Sequence, residues 1–208
     1  LNSLASNILT KNQAFNITRT ELTNQTIAQA PIATVINSIF DGKSKYETKE
    51  SQGWNHIYYF LYEYNFKLYG KGVTPINFES TSIKQVQSIE HILPQTIQPK
   101  SEWSKQWPDQ LLYEKFLHRL GNLTITANNS ALSNNSFEIK NFSKSSYCYT
   151  CDESTPSEKF LEKFSTLKKT WDKDSIIKRE IELAKFTLNR WSFEEEKISF
   201  INPELSVK

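Results

Sequence analysis

Ile89-Glu90-His91-Ile92-Leu93-Pro94-Gln95 reads as a short apolar strand that ends on an acid and an imidazole and is stopped by a proline. Further along, His118-Arg119-Leu120-Gly121-Asn122-Leu123-Thr124-Ile125-Thr126 is a β-prone run started by a glycine. It leads through Asn129 into Leu132 to Lys140, which has helical character and is opened by asparagines. The order is strand, turn, strand, helix, with Glu90, His91, Asn122 and Asn129 at the joins. The stretch from Ser88 to Lys140 therefore predicts a small ββα unit around which the rest of the chain is arranged.

Helices are expected on both sides of it. Thr26 to Phe40 sets Ile32, Val35, Ile36 and Ile39 at helical spacing, and Gly42 suits the left-handed position that follows a helix. Before it, Leu4, Ile8 and Phe15 could share a helical face. Trp54 to Tyr69 places Ile57, Leu61, Tyr64 and Leu68 on one stripe, read as core rather than as a stacking platform. Residues 73–79 are expected to be extended, and Ile83 to Ile89 to be the strand that runs into His91. Lys100 to Pro108 reads as a loop carrying Trp103 and Trp107, with Pro108 in the first turn of a helix over 109–118. Ser157 to Lys169 predicts a helix with Phe160, Leu161, Phe164 and Leu167 inward. Asp174 to Trp191 predicts the longest helix, on a stripe of Ile177, Ile181, Ala184, Leu188 and Trp191.

The fold class expected is mainly α, with a small ββα-metal (His-Me finger) motif embedded between helical segments. Its parts are an N-terminal helical part over 1–82, the ββα core over 83–145 and C-terminal helices over 146–208, in one compact domain. Formal charge is 25 basic against 23 acidic residues, or +2, too small to argue for nucleic acid by itself. No run approaches the roughly 18 apolar residues of a membrane span, and no signal-peptide pattern opens the chain, so a cytoplasmic location is expected. There is no Met even at position 1, so the chain is expected to be a piece of a longer protein. The two cysteines, Cys148 and Cys151, form one C-x-x-C, half of what a structural zinc site needs. Two free thiols are the plain reading, with a redox or partial-zinc role as the alternative.

The residues at the joins suit phosphodiester hydrolysis. That reaction is slow enough to need about 20 kcal/mol of assistance. A neutral imidazole that takes a proton from the attacking water supplies about 10²–10⁴ of rate. A Mg²⁺ or Mn²⁺ on oxygen ligands, its shell completed by waters, stabilises phosphoryl charge and the leaving oxygen. Neighbours on an extended chain point apart, so Glu90 can face a metal while His91 faces the water. Asn129 would offer its amide oxygen to the same ion, and Asn122 can tie the intervening loop to the His-bearing strand. The nearby helix N-terminus would favour an anionic phosphate.

Glu90-His91-x-x-Pro94-Gln95, Leu120-Gly121-Asn122-Leu123-Thr124 and Asn129-Ser130-x-Leu132-Ser133-Asn134-x-x-Phe137-x-x-Lys140 together resemble the C-terminal nuclease domain of GmrSD-type restriction endonucleases, an HNH (His-Me finger) family. The match is dense from Ile89 to Lys140, and the Trp171 to Trp191 segment resembles the family's closing element. The resemblance implies His91 as general base, Glu90 and Asn129 as metal ligands, and Asn122 as the middle Asn of the triad. His118 is also family-like and reads as a phosphate contact or a support residue rather than a second base; Arg119 and Lys140 read as contacts to substrate phosphates or as solvated charges, and Asn134 and Gln95 as supporting residues. One departure is that the single C-x-x-C follows the motif instead of flanking it in pairs, so bracing must come from helices. The family usually joins this domain to an N-terminal part that binds nucleotide, senses modified DNA and carries Asp-Gly-Gln-Gln-Arg, a motif not found here. The expected activity is Mg²⁺-dependent cutting or nicking of DNA in a phage-defence restriction system. The alternatives are a silent DNA-binding or assembly module of the same fold and an RNA-cutting toxin domain.

Overall fold

Antiparallel pairing of β1 (Ser88–His91) with β2 (Leu123–Thr126) sits at the centre of the molecule's larger unit, in the register Ser88↔Thr126, Ile89↔Ile125, Glu90↔Thr124 and His91↔Leu123. The structure, a computed structural model, describes residues 21–46, 53–69, 88–144 and 147–192. The expected elements over residues 4–15 and 73–87, and the tail after Glu194, lie outside them. The chain divides into a unit of Phe40–Leu183 and a smaller one drawn from Leu1–Ile39 and Ala184–Lys208.

In the smaller unit, residues 21–29 are helical and α1 (Ile32–Ile39) follows. The single helix expected over Thr26 to Phe40 is thus broken at Pro31, because a proline disfavours helical backbone at the residue before it. Ile32 and Ile36 are the buried positions of α1. In the larger unit, Gly42 has φ +77°, the left-handed turn expected of it. There α2 (Ile57–Leu68) buries Ile57, Phe60, Leu61 and Tyr64, so its aromatic stripe is core.

The connection from β1 to β2 holds structure where the sequence suggested a loop. α3 (Glu102–Gln106) is capped by Ser101, whose hydroxyl accepts from the Ser104 amide, and it buries Trp103. α4 (Gln110–Leu117) starts on Asp109, which accepts from the Leu111 and Leu112 amides, leaving Pro108 just outside the helix. A 3₁₀ turn, Leu120–Asn122, then delivers the chain to β2. Past β2, the helix expected over Leu132 to Lys140 is two pieces, α5 (Asn129–Leu132) and α6 (Phe137–Asn141). Ser133 at φ 42° ends the first, and the Ser136 hydroxyl caps the second by accepting from the Ile139 amide.

Ser157 to Lys169 departs further from expectation. α7 (Pro156–Lys159) is one turn opened by a capping box between Thr155 and Glu158. A second 3₁₀ turn, Leu161–Lys163, follows, and Thr166 bridges to Thr170. Leu167 stands at the tip of that bridge at φ 52° and 85% exposed, outward rather than inward.

The last helix, α8 (Lys173–Trp191), also buries a different face from the one its hydrophobicity suggested. Ile176, Arg179, Glu180 and Leu183 are buried, whereas Ile181 is 40% exposed. The tertiary requirement that decides this is polar. Arg179 Nη1 donates to the carbonyls of Leu120 (3.3 Å), Gly121 (2.9 Å) and Leu123 (2.5 Å), which α8 must face in order to satisfy. Around the hairpin, one cluster joins Ile92, Leu93, Trp103, Trp107, Phe137 and Trp171. No described helix is long and apolar enough to cross a membrane.

Candidate active site

Pleating sends Glu90 and His91 to opposite faces of β1, as neighbours on a strand must go. Glu90 turns inward. Its Oε1 accepts from Lys140 Nζ at 2.7 Å and from the Tyr149 hydroxyl at 3.1 Å. Lys140 is itself 1% exposed, and its ammonium also donates to the carbonyls of His91 (3.2 Å) and Ile92 (3.1 Å). Burial pushes the Glu90 carboxyl up and the Lys140 amine down, while each charge pulls the other back toward ionisation. The sequence suggested Glu90 for a metal and Lys140 for phosphate. The fold gives the two to each other beneath the hairpin, and Lys140 has no surface from which to meet a phosphate.

His91 turns the other way, into a group of rings. Its Nε2 lies 3.0 Å from His118 Nδ1 and its Nδ1 lies 3.3 Å from the amide nitrogen of Gln95. Tyr46 packs its ring edge-on to His91 with centroids 4.6 Å apart, and stacks on His118 at 5.8 Å and 11°. His91 is 4% exposed, His118 is half-buried and Gln95 is exposed. Burial first, and then the positive fields of His118 and Lys140, hold the His91 imidazole down to about 3. It is therefore neutral, with a lone pair available, throughout the physiological range.

Asn122 acts as a clamp on the loop that follows His91. Its Oδ1 accepts from the Leu93 amide (2.8 Å) and from Trp171 Nε1 (3.1 Å), and its Nδ2 donates to the carbonyls of Leu93 (3.1 Å) and Leu117 (2.7 Å). Those bonds use every polar site of a side chain that is fully buried. Asn122 therefore positions the strand, as expected of a residue tying the loop to it, and touches no open space.

Asn129 donates its Nδ2 to the carbonyl of Ile89 at 3.0 Å, which brings it against β1 one residue before Glu90. Its Oδ1 has no hydrogen-bond partner among the described residues. α5 is a single turn, capped by Asn128 accepting from the Ala131 amide, so it carries little of the dipole that a longer helix would aim at a phosphate. Arg119 is pinned to Glu180, with Nε to Oε1 at 3.0 Å and Nη2 to Oε2, and it lies over the Phe116 ring. Asn134 is exposed with no described bond. The neighbouring Asn135 does the bracing instead, its carbonyl accepting from Trp103 Nε1 at 2.9 Å.

Among the described residues no three His, Cys, Asp or Glu gather as metal ligands. A hydrated Mg²⁺ needs as few as one or two protein oxygens. Asn129 Oδ1 and the second oxygen of Glu90, neither with a described hydrogen-bond partner, are of that chemistry, with the Lys140 ammonium as a competing charge. Cys148 and Cys151 are both free thiols.

Tyr46, Tyr149 and Glu180 had no signal in the sequence. Tyr46 reaches the motif from a remote segment, Tyr149 lies inside the C-x-x-C, which was read for its thiols alone, and Glu180 is one charge among many on α8.

Comparison with known proteins bears on the same residues. No curated protein and no solved structure matched the chain. Residues 35–186 match the family of GmrSD restriction endonucleases, C-terminal domain. That span covers well over half of the chain and contains every residue of the His91 and Asn122 clusters, so this protein belongs to the family of GmrSD restriction endonuclease C-terminal domains.

Proposed function

We propose that the chain is the DNA-cutting half of a modification-dependent restriction enzyme and works as an HNH (His-Me finger) endonuclease or nickase. The supporting observation is His91: a neutral imidazole on a strand end, oriented by three ring or amide neighbours, with its Nδ1 side toward the exposed Gln95. The order β1, β2, α5 with Asn129 tied back to β1 also agrees with a ββα-metal layout.

In this reading His91 accepts a proton from a water as that water attacks phosphorus. An imidazole held this low is always free to accept but holds a proton weakly. A bound phosphodiester would offset the positive fields of His118 and Lys140 and raise the basicity of His91 against the burial that lowers it most. Asn122 keeps Leu93 and Leu117 in place, so the chain leaving His91 cannot drift. A Mg²⁺ or Mn²⁺ held by Asn129 and Glu90 would supply charge stabilisation at the phosphate and the leaving oxygen. Target choice and nucleotide dependence belong to an N-terminal partner domain, in cis or in trans.

Supercoiled plasmid with the purified chain and Mg²⁺ or Mn²⁺ tests this. Nicked product is expected, and His91→Ala is expected to remove it while leaving the far-ultraviolet circular dichroism unchanged. Equal cutting by His91→Ala removes His91 from its role. One observation favours a second reading, a non-cutting DNA-binding module: Lys140 already neutralises Glu90. Salt-sensitive binding with no cleavage under any divalent ion would select it.

A further inference from the structure

We propose that His118 is the positioning residue that fixes which nitrogen of His91 carries the proton, leaving His91 Nδ1 as the basic nitrogen of the site. The inference rests on the reading of His91 as general base, and deepens it.

With His118 neutral, hydrogen-bond chemistry allows one consistent arrangement for the groups as they are placed. The Gln95 amide nitrogen can only donate, so His91 Nδ1, 3.3 Å away, must accept and must carry the lone pair. A neutral imidazole then has its proton on Nε2. That proton points at His118 Nδ1, 3.0 Å away, which must be the acceptor, so the proton of a neutral His118 is on its Nε2.

The directions are not left to chance. Tyr46 lies parallel to His118 and nearly perpendicular to His91, and the two imidazoles meet at 85°. One tyrosine ring therefore fixes both planes and holds Nε2 against Nδ1. Gln95 is the exposed member, so a water that replaces its amide would meet the Nδ1 lone pair while the Nε2 contact stays intact. When the O–H bond of that water breaks and Nδ1–H forms, the second N–H of the imidazolium is already bonded to His118 Nδ1. The more common device, a carboxylate or carbonyl behind the imidazole, is here a second imidazole. The sequence left His118 between a phosphate contact and a support residue, and did not point to His91 as the ring it supports.

The test uses side-chain nitrogen NMR on the ¹⁵N-labelled chain at neutral pH, with plasmid nicking beside it. The chain has 3 histidines, so His56→Gln and His118→Asn complete the assignment. In wild type, His91 should show a protonated Nε2 and an unprotonated Nδ1. His118→Leu should shift His91 toward the other tautomer and lower kcat about ten- to a hundred-fold with KM little changed. His118→Asn, which keeps an acceptor near the same place, should restore the tautomer and most of the rate. A wild-type His91 protonated on Nδ1 would overturn the proposal, as would His118→Leu with both tautomer and kcat unchanged. If the wild-type chain cuts nothing, the nuclease reading fails, and the tautomer measurement still decides whether His118 sets the proton on His91. If His118→Leu does not fold, His118→Ala, which also removes the acceptor, carries the test: a His91 tautomer and kcat unchanged from wild type would overturn the proposal.

Discussion

His91 is held neutral by burial, and this has a consequence for stability that requires no substrate. Its folded value, about 3, lies below the roughly 6.5 of an unfolded histidine. Between those values the unfolded chain binds more protons than the folded one, so protonation favours unfolding. The contribution is complete above about pH 6.5 and declines as pH falls toward 3, by about 1.4 kcal/mol per unit. Glu90 and Glu158, both pushed up by burial, act in the opposite sense, so wild type alone does not isolate the effect. Denaturant unfolding of wild type and His91→Gln at pH 7 and pH 5 does. The wild type is expected to lose about 2 kcal/mol more than the variant over that interval, and parallel pH dependences would show that His91 is not buried neutral.

At the scale of elements, the 3₁₀ turn before β2 is set by contact rather than by propensity. A Cβ on Gly121 would lie 2.3 Å from the Ile176 carbonyl oxygen and 2.7 Å from Glu180 Cγ. Only glycine lets α8 approach closely enough for Arg179 to reach the carbonyls of Leu120, Gly121 and Leu123. Gly121→Ala is therefore expected to destabilise by about 2–3 kcal/mol through backbone displacement, and to reduce nicking because Asn122 is the next residue. A melting temperature within experimental error of wild type would show that α8 does not press on the turn. The glycine itself was legible as a break before a strand. Its closeness to Ile176 was not, since those residues are 55 positions apart in the chain. The same distance explains the misread face of α8, where an arginine and a glutamate turn inward to serve the turn and Ile181 is left outside.

At the scale of the whole molecule, the two carboxylates buried beside the hairpin, Glu90 and Glu158, find their partners among the described residues. Thr126 donates to Glu158 Oε1 at 2.7 Å, Tyr147 donates to Glu158 Oε2 at 2.8 Å, and Lys140 neutralises Glu90. The fold is therefore expected not to depend on a metal, in contrast to small zinc-stapled modules. A chelator is expected to abolish cutting while moving the melting temperature by less than about 2 °C, equivalent to under about 1 kcal/mol for a chain of this size. A larger drop would mean that an ion is part of the fold. The sequence alone determined the hairpin, the order of its parts and the residues at its joins, because strand alternation, a stopping proline and a turn glycine act over a few neighbours. Which of those residues face one another was a tertiary outcome. The pairing of Lys140 with Glu90 and of Arg119 with Glu180 depends on which charges must be neutralised once burial removes water, and that of His118 with His91 on which donor then meets which acceptor; both are settled only when distant segments close over the hairpin.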